Sequence, residues 1–175
     1  ENKDYAILLS TSGGAWRYLI GDTIQFTDKK RCEIIITGRI KHYLSLVGEH
    51  LSIDNMNKAV QSAAEEFNIS IPEFTVAGIP QGSFFAHQWY IATDDNVDAD
   101  PLRKKIDEEL KKLNDDYAVE RTSALKDIYV KVLPGSAFMK FLQSKGKVGG
   151  QHKFPRVLKG EILKDWQEFL SAGKY

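Results

Sequence analysis

Residues 74–93 read FTVAGIPQGSFFAHQWYIAT, and this stretch decides the fold. Two runs rich in aromatic and β-branched residues, 74–79 and 85–93, are separated by Pro80-Gln81-Gly82-Ser83. Strand-like runs on either side of a short segment containing Pro and Gly predict a β-hairpin. We therefore expect a small sheet built around residues 74–93.

The segments around this hairpin alternate between helical and strand patterns. Before it, Ser52 is a good N-cap for an amphipathic helix with apolar residues at spacings of three and four. After it, Asp100-Pro101 places an N-cap and a first-turn proline before a second helix. The later pattern predicts a strand over 128–133, a short helix from 134, a loop over 145–159 and a last helix whose apolar face holds Ile162, Leu163, Trp166, Phe169 and Leu170.

From residue 38 onward, the order is therefore α-β-β-α-β-α-α. This order predicts an α+β domain over 38–175, with a small three-stranded sheet covered by helices.

The first 37 residues have a different character. Strand patterns occupy 5–9, 16–27 and 32–37, and Gly21-Asp22 interrupts the second. No helical pattern is present to cover these strands. We expect residues 1–37 to be the β-rich tail of a larger domain and residues 37–41 to be a hinge. Because the chain opens almost directly on a strand, we also expect it to be part of a longer protein.

Composition excludes several classes of protein. The 175 residues include 24 Lys and Arg against 24 Asp and Glu, so no bulk charge favours nucleic acid or a membrane surface. The longest apolar runs are far shorter than the ~20 residues that span a bilayer. A single cysteine, Cys32, cannot form an internal disulfide, which suits a cytoplasmic protein.

Gly21-Asp22 is the first candidate for chemistry. A glycine before an aspartate at a strand break can expose the carboxylate, which can accept both hydroxyl hydrogens of a ribose. The alternative is an ordinary turn aspartate, since Gly-Asp pairs are common.

A second candidate is Gly38-Arg39-Ile40-Lys41, where the two regions meet. A glycine beside two basic residues can form a hinge that turns cations toward a phosphate. The alternative is a solvated linker. Nearby, His50 lies just before the helix capped by Ser52, where a helix N-terminus favours an anion, although a surface histidine is the simpler interpretation.

The third candidate is the basic loop. Residues 137–160 contain six Lys or Arg and no acidic residue, and Lys153 lies close to Pro155. A basic loop of this kind can deliver a point charge to a phosphoryl group. The alternative is a solvated loop. The chain carries no P-loop, no Rossmann fingerprint and no metal-ligand spacing of His and Cys.

Together, three motifs resemble one family. Residues 10–22, STSGGAWRYLIGD, resemble the segment ending Tyr-Arg-Tyr-Arg-Val-Gly-Asp in the Gretchen Hagen acyl-acid amido synthetases, the auxin-responsive-promoter family of adenylate-forming enzymes. Residues 151–156, QHKFPR, resemble its Gln-Tyr-Lys-x-Pro-Arg stretch. Residues 38–41, GRIK, followed by Gly48-Glu49, resemble the hinge of the wider adenylating superfamily.

The resemblance implies an enzyme that uses ATP, with Mg²⁺, to adenylate a carboxylic acid and then joins the acyl group to an amino acid. It implies that Asp22 holds the ribose, that Arg39 and His50 contribute to nucleotide binding, and that Lys153 approaches the phosphate. Gly38 and Lys41 would belong to the hinge. Plant members carry a lysine at the position of His50. The acyl pocket and the Gly-rich ATP loop would lie before residue 1, in the missing N-terminal domain.

Two alternatives remain open at the level of sequence. One is a thioester-forming ligase of the same superfamily, since the acceptor is not readable from these residues. The other is a non-catalytic α+β module whose basic loop binds an acidic partner. Balanced charge and the lack of a basic surface interleaved with aromatics argue against nucleic acid as that partner.

Overall fold

The computed structural model describes residues 3–39, 44–146, 153–173 and 175. They divide into two compact units, Glu1–Tyr43 with Ser52–Asp54, and Leu44–Leu51 with Asn55–Tyr175. The elements are β1 (Asp4–Leu9), β2 (Tyr18–Asp28), β3 (Glu33–Arg39), α1 (Ile53–Phe67), β4 (Glu73–Gln81), β5 (Phe84–Ala92), α2 (Ala99–Leu113), α3 (Asp115–Glu120), β6 (Leu125–Leu133), α4 (Gly135–Ser144), β7 (Val157–Leu158) and α5 (Gly160–Ser171). None of the described helices combines the length and apolarity needed to cross a bilayer.

The first unit is an antiparallel meander in the order β1-β2-β3, as its three strand patterns predict. It buries little of its own apolar surface. Residues 18–20 and 34–36 are consecutive large apolar residues, and all six are between 44% and 71% exposed. Because neighbouring residues of a strand point to opposite faces, both faces of this sheet present apolar side chains to solvent.

The second unit contains a mixed sheet in the order β6-β5-β4-β7. The predicted hairpin is confirmed, because β4 and β5 pair antiparallel from Glu73↔Ala92 to Gln81↔Phe84. β6 is parallel to β5, and β7 is parallel to β4. The α+β class is confirmed, but the sheet has four strands rather than the predicted three. The fourth, Val157–Leu158, is too short to show alternation and forms through its pairing with Val76 and Ala77.

Two helical details differ from the sequence prediction. Helix α2 is capped by Asp98, whose carboxylate accepts from the backbone N–H of Asp100, so Asp100 lies in the first turn and is not the N-cap. Two aspartates two positions apart offer the same local signal, and only the backbone conformation selects between them. Helix α3 spans six residues, which is too short for apolar periodicity to reveal it.

Helices cover both faces of the four-stranded sheet. Residues directly opposite in β4 and β5 share a face of the sheet. Thr75 and Tyr90 therefore lie on one face, and Gly78 and His87 lie on the other. On the Tyr90 face, α4 and α5 complete a core cluster of Ala77, Tyr90, Ala92, Leu133, Ala137, Phe138, Phe141, Phe154, Leu158, Trp166 and Leu170. On the His87 face, Tyr117 of α3 lies with its ring centroid 5.9 Å from that of His87.

Candidate functional site

Asp22 lies in the middle of the first sheet. It pairs with Arg39 of β3, and its neighbour Thr23 pairs with Gly38. The structure therefore brings the predicted ribose ligand onto the strand adjacent to the predicted hinge. The Arg39 side chain and all of Lys41 lie outside the described residues.

The strand interruption predicted at Gly21-Asp22 takes the form of a register irregularity within β2 rather than a break in the strand. β2 continues through both residues, but its register with β1 shifts there, from Leu8↔Leu19 to Ala6↔Thr23, while Asp22 pairs with Arg39 of β3. Gly21 takes φ of +88°, a conformation that glycine adopts without strain, and is buried. Asp22 is consequently half-buried rather than displayed at a bend.

His50 occupies a turn, Leu44–Leu51, that is closed on itself. The backbone groups of Leu44 and Leu51 exchange two hydrogen bonds, of 3.0 and 2.9 Å, and both side chains are fully buried. The His50 side chain is exposed, with Nδ1 3.7 Å from Oδ2 of Asp116. A carboxylate therefore lies beside His50, and a phosphate at this position would compete with that carboxylate for the imidazole.

Beneath this turn is a buried acid–histidine pair that sequence reasoning missed. An oxygen of Glu49 lies 3.0 Å from Nε2 of His87, and both side chains are fully buried. The same carboxylate accepts from the backbone N–H groups of Leu46 and Val47. Glu49 is thus held by the sheet through His87 and by its own turn through two amides.

The pair favours an ionised Glu49 and a neutral His87. Burial would raise the pKa of Glu49, but hydrogen bonds from His87, Val47 and Leu46 outweigh it and lower the pKa from 4.5 to about 2. Burial lowers the pKa of His87, against the influence of Glu49. Nε2–H donates to the carboxylate, while Nδ1, which carries no proton, is an acceptor with no partner in the described structure.

A second buried carboxylate lies on the same face. Asp107 accepts from the Tyr117 hydroxyl at 2.7 Å, from Nε of Arg121 at 2.8 Å and from Nζ of Lys111 at 2.8 Å. Burial would raise the pKa of Asp107, but these three hydrogen bonds, that from Arg121 first, lower it. The contacts tie α2 to α3, whose Asp116 lies beside His50.

Lys153 lies at the other face of the sheet. Its side chain is exposed, whereas the next residue, Phe154, is 5% exposed. The Phe154 ring centroid is 4.7 Å from that of Phe138 and 5.0 Å from that of Trp166, both in edge-on packing. Lys153 therefore directs its charge to solvent from a main chain that is fixed in the core at the next residue.

The chain beyond Phe154 follows β4. The Thr75 hydroxyl donates to the carbonyl oxygen of Pro155 at 2.7 Å, and the N–H of Val76 donates to that of Arg156 at 2.9 Å. The Arg156 guanidinium binds the carboxylate of Glu73 and lies 4.2 Å above the Phe74 ring. A ring contact, a hydroxyl and an ion pair thus hold three successive residues after Lys153.

The structure does not place His50 beside Lys153 on one face. His50 follows Glu49, which is bonded to His87, whereas Lys153 precedes Phe154, which packs on the Tyr90 face. Sequence reasoning gave no indication of this arrangement. Residues 38 positions apart, Glu49 and His87, form their pair only through the tertiary fold.

Family models match most of the chain. The description "GH3 family C-terminal domain" matches residues 54–161, and "GH3 family central domain" matches residues 1–38. No curated protein matches significantly.

Solved structures share the fold. The chain is 22% identical to a GH3.15 acyl acid amido synthetase, with a TM-score of 0.72 over 97% of this chain and 33% of that one. It is 24% identical to the AtGH3.15 acyl acid amido synthetase in complex with 2,4-DB, with a TM-score of 0.65 over 94% of this chain and 32% of that one. The chain thus spans about a third of the length of these proteins. The family match, together with this shared fold, shows that the chain belongs to the GH3 family, the Gretchen Hagen family that its motifs resemble.

Proposed function

We propose that this chain is the C-terminal third of an ATP-dependent acyl acid amido synthetase. The whole enzyme adenylates a small carboxylic acid, releasing pyrophosphate, and then transfers the acyl group to the amine of an amino acid, releasing AMP. The observation that carries the proposal is the placement of Lys153, whose side chain is exposed while Phe154 is buried. A cation on a fixed main chain suits a phosphoryl group on which negative charge develops. The cation is already in place and does not have to reorganise during the reaction.

The first unit supplies the nucleotide side of this proposal. The Asp22 carboxylate fits the pair of ribose hydroxyls, since an ionised acceptor makes strong hydrogen bonds to O–H donors. Arg39, opposite Asp22 in the sheet, contributes to nucleotide binding. Residues 1–37 are then the tail of the large N-terminal domain, whose remainder covers the apolar residues that the meander exposes.

In this proposal the mobile domain is residues 38–175, which include the whole second unit, with Gly38 and Lys41 at the hinge. His50 and Lys153 are attached to opposite faces of its sheet. Rotation about a hinge brings different faces of one domain to the same reaction centre, so each half-reaction can use its own residues. Lys153 serves adenylation, and His50 contributes a nucleotide contact.

The Mg²⁺ that accompanies ATP is not assigned to this chain. Among the residues that the structure describes, no group of three His, Cys, Asp or Glu side chains is placed to hold a metal ion. We therefore derive no step through the metal. The exposed, unpaired thiol of Cys32 supports a cytoplasmic location as part of the proposal.

The test uses the longer protein that carries this segment. Acid-dependent exchange of pyrophosphate into ATP measures adenylation, and acid- and amine-dependent release of pyrophosphate measures the complete reaction. We expect Lys153→Ala to slow adenylation by about 10²–10³-fold, the range for losing a preorganised charge at a transition state. Lys140→Ala is the matched control. It removes a different exposed lysine, which lies on α4, and is expected to retain the wild-type rate.

Four outcomes would contradict parts of this proposal. Wild-type rates of both half-reactions in Lys153→Ala would remove the role of Lys153. Transfer to a thiol but not to an amine would identify a thioester-forming ligase of the same superfamily. Absence of acid-dependent exchange over a panel of carboxylic acids would favour a non-catalytic binding module. The 175-residue chain alone is expected neither to adenylate nor to bind ATP tightly, so turnover by it would overturn its assignment as a fragment.

A further inference from the structure

We propose that Thr75 is a positioning residue for Lys153, acting through the carbonyl group of Pro155. The inference rests on the proposed function, because it assigns Thr75 a part in the reaction that Lys153 serves. Nothing in the three motifs that resemble the family points to Thr75, which lies in the hairpin, 80 residues before Pro155.

The contact is buried and well formed. Thr75 is fully buried, and its hydroxyl lies 2.7 Å from the Pro155 oxygen and 3.3 Å from that of Arg156. A hydroxyl carries one hydrogen, so the shorter contact is the principal hydrogen bond. The adjoining carbonyl of Arg156 already accepts the N–H of Val76 at 2.9 Å. The Thr75 hydroxyl therefore donates to the preceding carbonyl, that of Pro155, which lies before the paired residues of β7.

Volume alone does not explain a threonine at this position. Thr75 shares the Tyr90 face with Ala77, in a setting where Phe154, Trp166 and Leu158 supply an apolar core. A valine has nearly the same shape and carries no polar atom, and burying a hydroxyl without a hydrogen-bond partner is unfavourable. The hydroxyl is tolerated because it is satisfied, and the group that satisfies it lies two residues from Lys153.

Several contacts hold this segment, and three of them fix different parts of it. The Phe154 ring fixes a side chain, and the pairing of Val76 with Val157 fixes the strand further on. The Thr75 hydrogen bond fixes the plane of the peptide group between Pro155 and Arg156. Proline already restricts its own φ, so fixing the peptide after it also restrains ψ of Pro155, and both dihedrals of the residue two positions from Lys153 are then held. The direction in which Lys153 leaves the core then depends on this hydrogen bond.

The expected effect is on rate rather than on binding. A misplacement of about 1 Å at a reacting group costs on the order of 10²-fold, even when the mutation is remote from the chemistry. In the longer protein, we expect Thr75→Val to lower kcat for pyrophosphate exchange about 10–100-fold, with KM for ATP and for the acid changed less than about twofold. Thr75→Ser restores the hydroxyl and is expected to recover most of the rate.

A double-mutant cycle separates positioning from general destabilisation. If Thr75 acts through Lys153, Thr75→Val has no further effect on the exchange rate once Lys153 is alanine. Thr93→Val is the matched control. It removes another buried threonine hydroxyl of the same unit, one that accepts from the N–H of Asp95 instead of bonding the Pro155 carbonyl, and it is expected to leave exchange unchanged.

The outcomes distinguish this inference from the proposed function. Absence of exchange in the wild-type protein would overturn the proposed function itself. A large loss in Lys153→Ala, combined with a wild-type rate in Thr75→Val or with additive losses in the double mutant, would overturn the positioning role alone. If Thr75→Val does not fold, Thr75→Cys takes its place, since a thiol of similar size is a weaker donor. A wild-type kcat for a folded Thr75→Cys protein would then contradict the inference.

Discussion

The two faces of the four-stranded sheet hold His50 and Lys153, two exposed candidate side chains, by different physical means. On the His87 face, the turn that carries His50 is anchored by the buried carboxylate of Glu49. On the Tyr90 face, the segment that carries Lys153 is anchored mainly by the buried ring of Phe154. The stability that a buried charge contributes depends on pH and on well-placed hydrogen-bond partners. The stability that a buried ring contributes depends on neither. The comparison therefore predicts that substitutions on the two faces lower the free energy of unfolding in different ways, with a dependence on pH only on the His87 face.

The largest loss is expected on the Tyr90 face. Phe154→Ala deletes a ring that packs against Phe138, Phe141 and Trp166, and we expect about 3–5 kcal/mol less free energy of unfolding. The loss should be independent of pH between 5 and 8, roughly the range in which proteins are most stable. Urea unfolding followed by far-UV circular dichroism measures it. Phe84→Ala, at a phenylalanine that is 45% exposed, is the control, and equal losses in the two variants would contradict an anchoring role for Phe154.

The next effect is expected on the His87 face, and it depends on pH. Glu49→Gln presents an amide N–H₂ to groups that donate hydrogen bonds, and we expect a loss of about 2–4 kcal/mol at neutral pH. Because folding lowers the pKa of Glu49 from 4.5 to about 2, its stabilisation is complete above 4.5 and is lost as the pH falls toward 2. Folding also lowers the pKa of His87 from 6.5, so the unfolded state takes up that proton first and stability begins to fall below about 6.5.

Urea unfolding at a series of pH values tests both parts. The loss of stability between pH 4.5 and 2 should be smaller in Glu49→Gln than in the wild-type chain, by about 2–3 kcal/mol. Asp116→Asn is the matched control, because it alters the other acid–histidine pair, whose side chains are 69% and 66% exposed. Its effect is expected to stay within about 0.5 kcal/mol. Parallel acid profiles for the wild type and Glu49→Gln would contradict the electrostatic anchor.

The smallest effect tests how closely the turn packs on the sheet. A Cβ at Gly78 would overlap the side chain of Leu46, so Gly78→Ala should push the turn away from the His87 face. We expect a loss of about 1–3 kcal/mol, typical of overpacking. Gly135→Ala is the control, since the nearest atom to its Cβ, in the Asp94 carboxylate, would lie 3.4 Å away in ordinary contact. Unfolding midpoints measure both, and equal midpoints for Gly78→Ala and the wild type would show that the turn yields freely.

Much of this fold was predictable from local patterns. The hairpin at 74–93, the amphipathic helices and the meander each leave a signal within a short window of sequence, and the structure confirms them. What stayed hidden has no local signal. β7 has two residues and exists because β4 offers it an edge. Asp98 and Asp100 are equivalent as local signals for an N-cap, and β2 continues through Gly21 although its register with β1 shifts there.

The candidate site divides in the same way. The motifs that contain Asp22, Gly38, Arg39, Lys41, His50 and Lys153 are contiguous in sequence, so resemblance could select them. Their roles remain predictions. Glu49–His87 and Thr75–Pro155 join residues 38 and 80 positions apart, and neither partner is unusual in its own neighbourhood. Only the register of β4 with β5 shows which of these side chains share a face.

The separation of 80 residues between Thr75 and Pro155 also sets an order of events during synthesis. The β4–β5 hairpin is local and can form soon after it leaves the ribosome, but β7 is made much later. At a synthesis rate of ~5–20 residues per second, the edge of β4 at Val76 and Ala77 stays unpaired for roughly 4–16 s, until β7 has been made. An unpaired edge is a template for pairing with other chains. The nascent protein is therefore most prone to aggregation in the interval before the segment with Lys153 arrives, and that segment closes the edge when it docks.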